Sequence, residues 1–280
     1  MNRVSKPIIS ICYSIRLLKG GMLMNLNIIN LFRKPKEYSE EIKKQVKKIM
    51  EIEITDEPAY NLISYFLRVY PQAAHELLGF PGEFVRILDS AVIIYGKEKL
   101  YMDYVEKTNL KNEIFDWGCV ILKYKSGKLT SKDLEELLIG YIYNIRFNEN
   151  PCYIYVLTDE KRSSYKNIEI NGFVFRINFI SYDRKKINKS LKTLSKKDFK
   201  KDEFSEIELL NFLFSIIFAK SKYSIKILNK SIDIFNQMDN IDLKYRRDIY
   251  RTLIIMIKYH CRDNKKITKE LLSRIVEIYN

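Results

Sequence analysis

The chain has 280 residues, of which 46% are apolar and 13% aromatic, and it carries a formal net charge of +14 at pH 7. This apolar content excludes an intrinsically disordered chain, and the length allows one large domain or two modest ones. The charge permits a polyanionic partner such as nucleic acid, although biased codon usage on a solvated surface would give the same value.

Cysteine and histidine provide no recognisable reactive motif. No two cysteines have Cys-x-x-Cys spacing, so neither a zinc site nor a disulfide framework is predicted. Reduced cysteines are typical of a cytoplasmic protein, which is the location we expect. His75 and His260 fall on predicted helices without a nucleophile motif nearby, so packing roles are favoured over catalysis.

Residues 1–23 form an unusual leader. An apolar run over 8–18 is too short to span a bilayer, and no Ala-x-Ala cleavage site follows it. The codons for Lys19-Gly20-Gly21 can contain a ribosome-binding site at a suitable distance from Met24. We therefore expect translation to start at Met24 rather than Met1, with residues 1–23 a misassigned leader.

Helices are predicted in the segments that follow. Segment 24–55 is charged and helical, with an apolar seam at helical spacing made of Ile42, Val46 and Ile49. A second helix is expected to begin at Pro58, after a capping threonine and two acids, and to run to about Leu78. Pro71 is expected to kink or break it.

Three strands are predicted next. Residues 84–95 form the first, with a break near Asp89. Residues 99–107 alternate apolar and polar side chains and form one strand that carries Asp103. Residues 115–125 are an almost continuous apolar run, which is typical of a strand covered on both faces.

The order then changes to helix and strand. A helix over 131–146 separates the third strand from an apolar strand over 151–157, so these two strands are predicted to be parallel. Asn171-Gly172 predicts a hairpin turn within 168–181. We expect an α/β core over 56–182.

The remainder is basic and then helical. Segment 183–204 is dense in lysine and predicted to be a basic linker, or alternatively a surface that follows a phosphate backbone. Segment 205–280 is predicted to be a helical region that begins with a capping box at Ser205.

The order helix, three strands, helix, strand over 56–157 resembles the core of the PD-(D/E)XK nuclease superfamily. Short sequence motifs, spread over about two-thirds of the chain, are similar to those of its recombination-promoting nuclease and putative transposase group. The similar motifs are Tyr70-Pro71-Gln72, Leu88-Asp89-Ser90-Ala91-Val92, Tyr101-Met102-Asp103-Tyr104-Val105, Val120-Ile121-Leu122-Lys123-Tyr124-Lys125-Ser126, and the tyrosines Tyr141 and Tyr143.

The resemblance implies Mg²⁺-dependent cleavage of phosphodiesters and a degenerate active site. Asp103 matches the metal-binding acid of the second strand, and Lys125 matches the catalytic lysine of the third. Lys123 stands where the family pattern has glutamate, and Ala91 stands where a first-strand acid is expected.

A lysine at the metal position should oppose metal binding. The repulsion costs about 1 to 4 kcal/mol per unit of ion charge at effective dielectric constants of 80 to 20. We therefore expect Mg²⁺ to bind weakly or not at all at Asp103, unless another acid supplies the missing second carboxylate. The candidates are Glu113, Asp116 and Asp89.

The functional expectation is a transposase-like protein that acts on DNA and whose metal-dependent cleavage is impaired or lost. The alternatives are a non-catalytic scaffold that retains the nuclease fold, and an active nuclease with a migrated acid. DNA is the expected partner and a membrane is not. The sequence leaves open RNA as substrate, cleavage specificity and self-association into a homo-oligomer.

Overall fold

The structure is a computed structural model that describes residues 38–279 except 89–90, 95–97, 112–114, 149–150, 171–172 and 220–222. The predicted leader 1–23 and the alternative start at Met24 lie outside the described residues.

Three helices open the described chain: α1 (Glu40–Glu51), α2 (Pro58–Val69) and α3 (Pro71–Leu78). The predicted seam of α1 is confirmed, since Val46 is buried and its two apolar neighbours pack against the same core. Pro71 breaks the second predicted helix as expected, because proline has no N–H to continue it. At the break, the Tyr70 hydroxyl donates a 2.6 Å hydrogen bond to buried Asp248.

The main sheet has six strands in the order β1-β4-β5-β6-β8-β7. Their bounds are β1 (Glu83–Ile87), β4 (Tyr104–Asn109), β5 (Trp117–Tyr124), β6 (Cys152–Thr158), β7 (Tyr165–Ile170) and β8 (Phe173–Ser181). Helix α4 (Ser131–Asn148) connects β5 to β6, and these strands are parallel as predicted. β7 and β8 form the predicted antiparallel hairpin, while its turn at 171–172 lies outside the described residues.

The prediction of one continuous strand over 99–107 was wrong. The chain forms β3 (Glu98–Tyr101), leaves the strand at Met102 and Asp103, and resumes as β4. β3 pairs with β2 (Ala91–Ile94) in a separate two-stranded sheet. The break has a physical cause: the Asp103 carboxylate, rather than a strand carbonyl, accepts the Tyr124 N–H bond at 2.6 Å.

β5 is covered on both faces, as its apolar run predicts. Cys119 and Ile121 belong to a buried cluster that includes Leu137 of α4. Val120 and Leu122 point to the other face and join a larger core made with the remaining helices. Because successive side chains of β5 point to opposite faces of the sheet, this strand contributes to two separate cores.

Five helices complete the chain: α5 (Arg184–Leu194), α6 (Glu206–Ile217), α7 (Ser224–Phe235), α8 (Leu243–His260) and α9 (Lys265–Tyr279). The capping box at Ser205 is present at the start of α6. Segment 183–204, predicted as a linker, contains α5, whose Ile187 and Leu191 are buried in the larger core. That core also holds residues of the sheet and of α9, so the predicted regions 56–182 and 205–280 pack as one unit.

Candidate functional site

A cavity of about 690 Å³ opens at the carboxyl end of β5. It is lined by the start of α2, the Asp103 break, the end of β5, and the last turns of α6 and α8. Its acidic, basic and histidine lining residues are Asp56, Glu57, Asp103, Asp133, Asp159, Lys123, Lys125 and His260. The predicted site residues Asp103, Lys123 and Lys125 therefore do lie in one cavity.

Asp103 is held by two donors. Its Oδ2 accepts the Tyr124 N–H bond at 2.6 Å, and its Oδ1 accepts a 3.2 Å bond from the Tyr60 hydroxyl on α2. Burial raises the pKa of Asp103, although the nearby Lys123 charge and both hydrogen bonds act to lower it. Each oxygen of this carboxylate already has a protein partner.

Lys123 extends into a group of carboxylates. Its Nζ lies 2.7 Å from Glu136 Oε2 and 3.7 Å from Asp133 Oδ1, and its side chain is 16% exposed. Burial acts to lower the pKa of Lys123, but the hydrogen bond to Glu136 and the charge of Asp103 raise it overall. The ammonium therefore neutralises part of the negative charge of these acids.

Lys125 is paired in the same way. Its Nζ lies 2.8 Å from Asp133 Oδ2. Asp133 sits in the first turn of α4, where it accepts hydrogen bonds from the Thr130 N–H and hydroxyl, both at 2.7 Å. Burial acts to raise the pKa of Asp133, but Lys125 and Thr130 outweigh it and lower the pKa to about 2.

Three acids were candidates to supply the missing second carboxylate beside Asp103, and not all of them lie near it. Asp116 precedes β5 at its opposite end, seven residues before Lys123, which corresponds to about 23 Å along a strand. Asp116, one of the three candidates, therefore does not lie beside Asp103. Glu113 and Asp89 lie outside the described residues. Ala91 lies in β2, opposite Tyr101.

Four further residues belong to the site and were not predicted from the sequence. These are Tyr60, Asp133, Glu136 and Asp159. Asp159 follows β6 and accepts hydrogen bonds from the Ser126 hydroxyl and the Gly127 N–H. The predicted parallel pairing offered a signal for Asp159, because the carboxyl ends of neighbouring parallel strands meet at one edge. Tyr60 had no such signal.

The two histidines differ in their position relative to this cavity. His75 is buried away from this cavity; its Nδ1 lies 2.6 Å from Glu106 Oε1, and its Nε2 lies 3.0 Å from the Gly82 carbonyl. His75 therefore makes hydrogen bonds within the fold, and it is not among the residues that line this cavity. His260 lines the cavity, and burial lowers its pKa to about 4, so it is neutral at pH 7. At neutral pH the cavity walls carry more carboxylates than cations.

The described residues contain no group of three or more His, Cys, Asp or Glu side chains arranged to hold a metal ion. Among the helices in this part of the chain, none has both the length and the apolar character needed to cross a bilayer. Comparison with family models, with curated proteins and with solved structures gives no match.

Proposed function

We propose that the protein acts on DNA as a transposase-like relative of the PD-(D/E)XK nucleases that no longer cleaves phosphodiesters. The observation that best supports this proposal is the position of Lys123. Its ammonium lies 2.7 Å from Glu136 and 3.7 Å from Asp133, beside Asp103, where the nuclease pattern has a second carboxylate.

The arrangement of the strands supports the proposed kinship. Asp103 leaves the sheet directly before β4, and its carboxylate reaches the backbone of Tyr124 at the end of β5. The acid of the proposed second strand and the lysines of the proposed third strand are thus neighbours. The order β1-β4-β5-β6, with only the last pair parallel, is compatible with a nuclease core.

The donor set is a poor fit for Mg²⁺. Mg²⁺ requires near-octahedral oxygen ligands, which carboxylates and waters supply. Here both oxygens of Asp103 accept hydrogen bonds, and Asp133 and Glu136 are paired with lysine. A bound ion would have to displace an ammonium that already neutralises these acids. The side chains present therefore do not fit a Mg²⁺ site.

The test of lost cleavage is a plasmid relaxation assay with millimolar Mg²⁺ or Mn²⁺. We expect neither the wild type nor Asp103→Ala to nick DNA above the buffer control. Metal-dependent nicking by the wild type that disappears in Asp103→Ala would overturn the proposed loss. A labelled DNA duplex tests the other half of the proposal by fluorescence anisotropy, and we expect binding that weakens as salt increases.

A second candidate is a scaffold that binds a protein rather than DNA. The acidic balance of the cavity favours it, since five carboxylates line the cavity beside two lysines. It predicts no duplex binding even at low salt. The anisotropy experiment therefore separates the two candidates.

A further inference from the structure

Helix α5 carries a row of lysines on its outer face. Lys185, Lys189 and Lys192 follow one another at intervals of four and three residues, which places them on one side of the helix. All three are exposed. The opposite side of α5 holds Ile187 and Leu191, both buried in the core.

Helix α7 packs against α5 and extends the same charge. Lys226 is exposed and Lys230 partly exposed, and they lie one turn apart. Burial lowers the pKa of Lys230, and the charges of Lys192 and Lys226 lower it further. Positive groups from two helices therefore repel one another at this surface.

Within the described part of the chain, these lysines form no ion pair. Two acids on or close to these helices in sequence have other partners: Asp198, which follows α5, lies 3.6 Å from Lys201, and Asp233, on α7, lies 2.7 Å from Arg274. Asp183 caps the start of α5 by accepting the Lys186 N–H bond at 2.9 Å. The surface thus retains a positive charge that the protein does not neutralise.

We infer that this surface, the α5–α7 lysine face (Lys185, Lys189, Lys192, Lys226 and Lys230), binds the phosphate backbone of DNA. The inference rests on the proposed function and states which surface performs it. Lys185 and Lys192 are separated by about 10 Å along the helix axis. A duplex presents roughly six phosphate charges over that length, at about one per 1.7 Å.

The chemistry of the face favours nucleic acid over a lipid surface. A helix that binds a bilayer places apolar side chains between the lipids beside its basic residues. The large apolar side chains exposed in the described chain lie on other elements, such as Val174 on β8 and Leu243 on α8. The apolar sides of α5 and α7 face the core.

The experiment compares two matched triple variants of the full chain. One is Lys185→Gln, Lys189→Gln and Lys192→Gln; the control is Lys44→Gln, Lys47→Gln and Lys48→Gln on α1. The control lysines are also exposed and form no ion pair in the described chain. Both variants lower the net charge equally, and glutamine keeps the helix propensity of lysine. Binding to a labelled 20-base-pair duplex is measured between about 50 and 200 mM salt, within the range where phosphate contacts determine affinity.

We expect the α5 variant to bind about 100-fold more weakly than the wild type near 100 mM salt, with its salt slope reduced by about 3, or about one per lysine. The α1 control should stay within a few-fold of the wild type. Equal losses in both variants would overturn the assignment of this face and leave the proposed function standing. Absence of duplex binding by the wild type would overturn the proposed function itself.

Sedimentation with phosphatidylserine vesicles provides the second arm. Loss of vesicle binding in the α5 variant, with duplex binding retained, would assign the face to a membrane surface and overturn the inference. Circular dichroism melting of both variants checks that the losses do not come from unfolding.

Discussion

Two regions of this molecule use lysine in opposite ways. In the cavity, Lys123 and Lys125 are 16% and 29% exposed, and each has a carboxylate oxygen within 2.8 Å. On the α5–α7 lysine face, the described lysines have no ion-pair partner, and three of the five project from the outer side of α5. The same side chain is therefore an internal counter-ion in one region and unneutralised surface charge in the other.

This difference changes how the net charge of +14 should be interpreted. From the sequence, segment 183–204 was predicted to be a basic linker or, alternatively, a surface that follows a phosphate backbone. The cavity walls carry five carboxylates and two lysines, so that region does not attract phosphate. The charge available to a polyanion lies on the α5–α7 lysine face. Three of its lysines fall in the segment predicted to be a linker, and Lys226 and Lys230 lie on α7.

The largest expected effect comes from removing the internal counter-ion. Lys123→Met leaves Glu136 without its ammonium partner at 2.7 Å, while Asp133 keeps Lys125, and breaking a largely buried pair costs about 3 kcal/mol. We expect the free energy of unfolding in urea to fall by about that amount. Lys132→Met is the matched control, because Lys132 lies 4.0 Å from the same Glu136 but is 84% exposed, and it should change stability by less than about 0.5 kcal/mol. Equal effects for both variants would contradict the comparison.

The second effect is a pH dependence. The pKa of Asp133 is lowered from 3.8 to about 2 in the folded protein, so its stabilising contribution is present above its unfolded pKa and is lost as the pH falls toward 2. The shift corresponds to about 2 kcal/mol. Urea unfolding of the wild type and of Asp133→Asn between pH 5 and pH 2 should show a steeper loss of stability in the wild type. Parallel curves would mean that Lys125 does not stabilise the Asp133 carboxylate.

A smaller effect is expected at the tyrosine that holds Asp103. Tyr60→Phe removes the hydroxyl that donates to Asp103 Oδ1, which should reduce stability by about 1 kcal/mol. Tyr65→Phe, on the exposed side of the same helix, is the control and should leave the melting temperature almost unchanged. A neutral Tyr60→Phe would show that this hydrogen bond does not help to fix the carboxylate.

The smallest effect belongs to the basic face. Lys192→Gln removes a charge that repels Lys230, so we expect an increase in stability of about 0.3 kcal/mol at low salt, which disappears at high salt. Thermal melting at two salt concentrations measures it. A clear loss of stability would show that Lys192 has a structural partner, and the contrast with Lys123 would then fail.

Local signals predicted much of the fold. The capping residues of α6, the proline between α2 and α3, and the apolar alternation of β5 all act within a few residues, so the sequence contains the whole cause. The interruption at Asp103 could not be predicted in this way. It depends on the Tyr124 N–H group, which comes 21 residues later in the chain.

In the candidate site, too, some residues could be predicted from local sequence and others could not. The motif pattern identified Asp103, Lys123 and Lys125, because their spacing along two strands is a sequence property. It did not identify Glu136 as the partner of Lys123, since that pairing requires α4 to cross back over the sheet. Asp133, the acid in the first turn of α4, could be recognised from the sequence only as a residue typical of a helix start.

The hydrogen bond between Tyr70 and Asp248 has a consequence for synthesis of the protein. The two residues are 178 positions apart, and both are buried in the larger core. At roughly 5 to 20 residues per second, about 10 to 40 seconds separate their emergence from the ribosome. Until α8 emerges, the nascent chain lacks residues that complete the core around Phe66 and Leu67, so chaperones have a period in which to bind it.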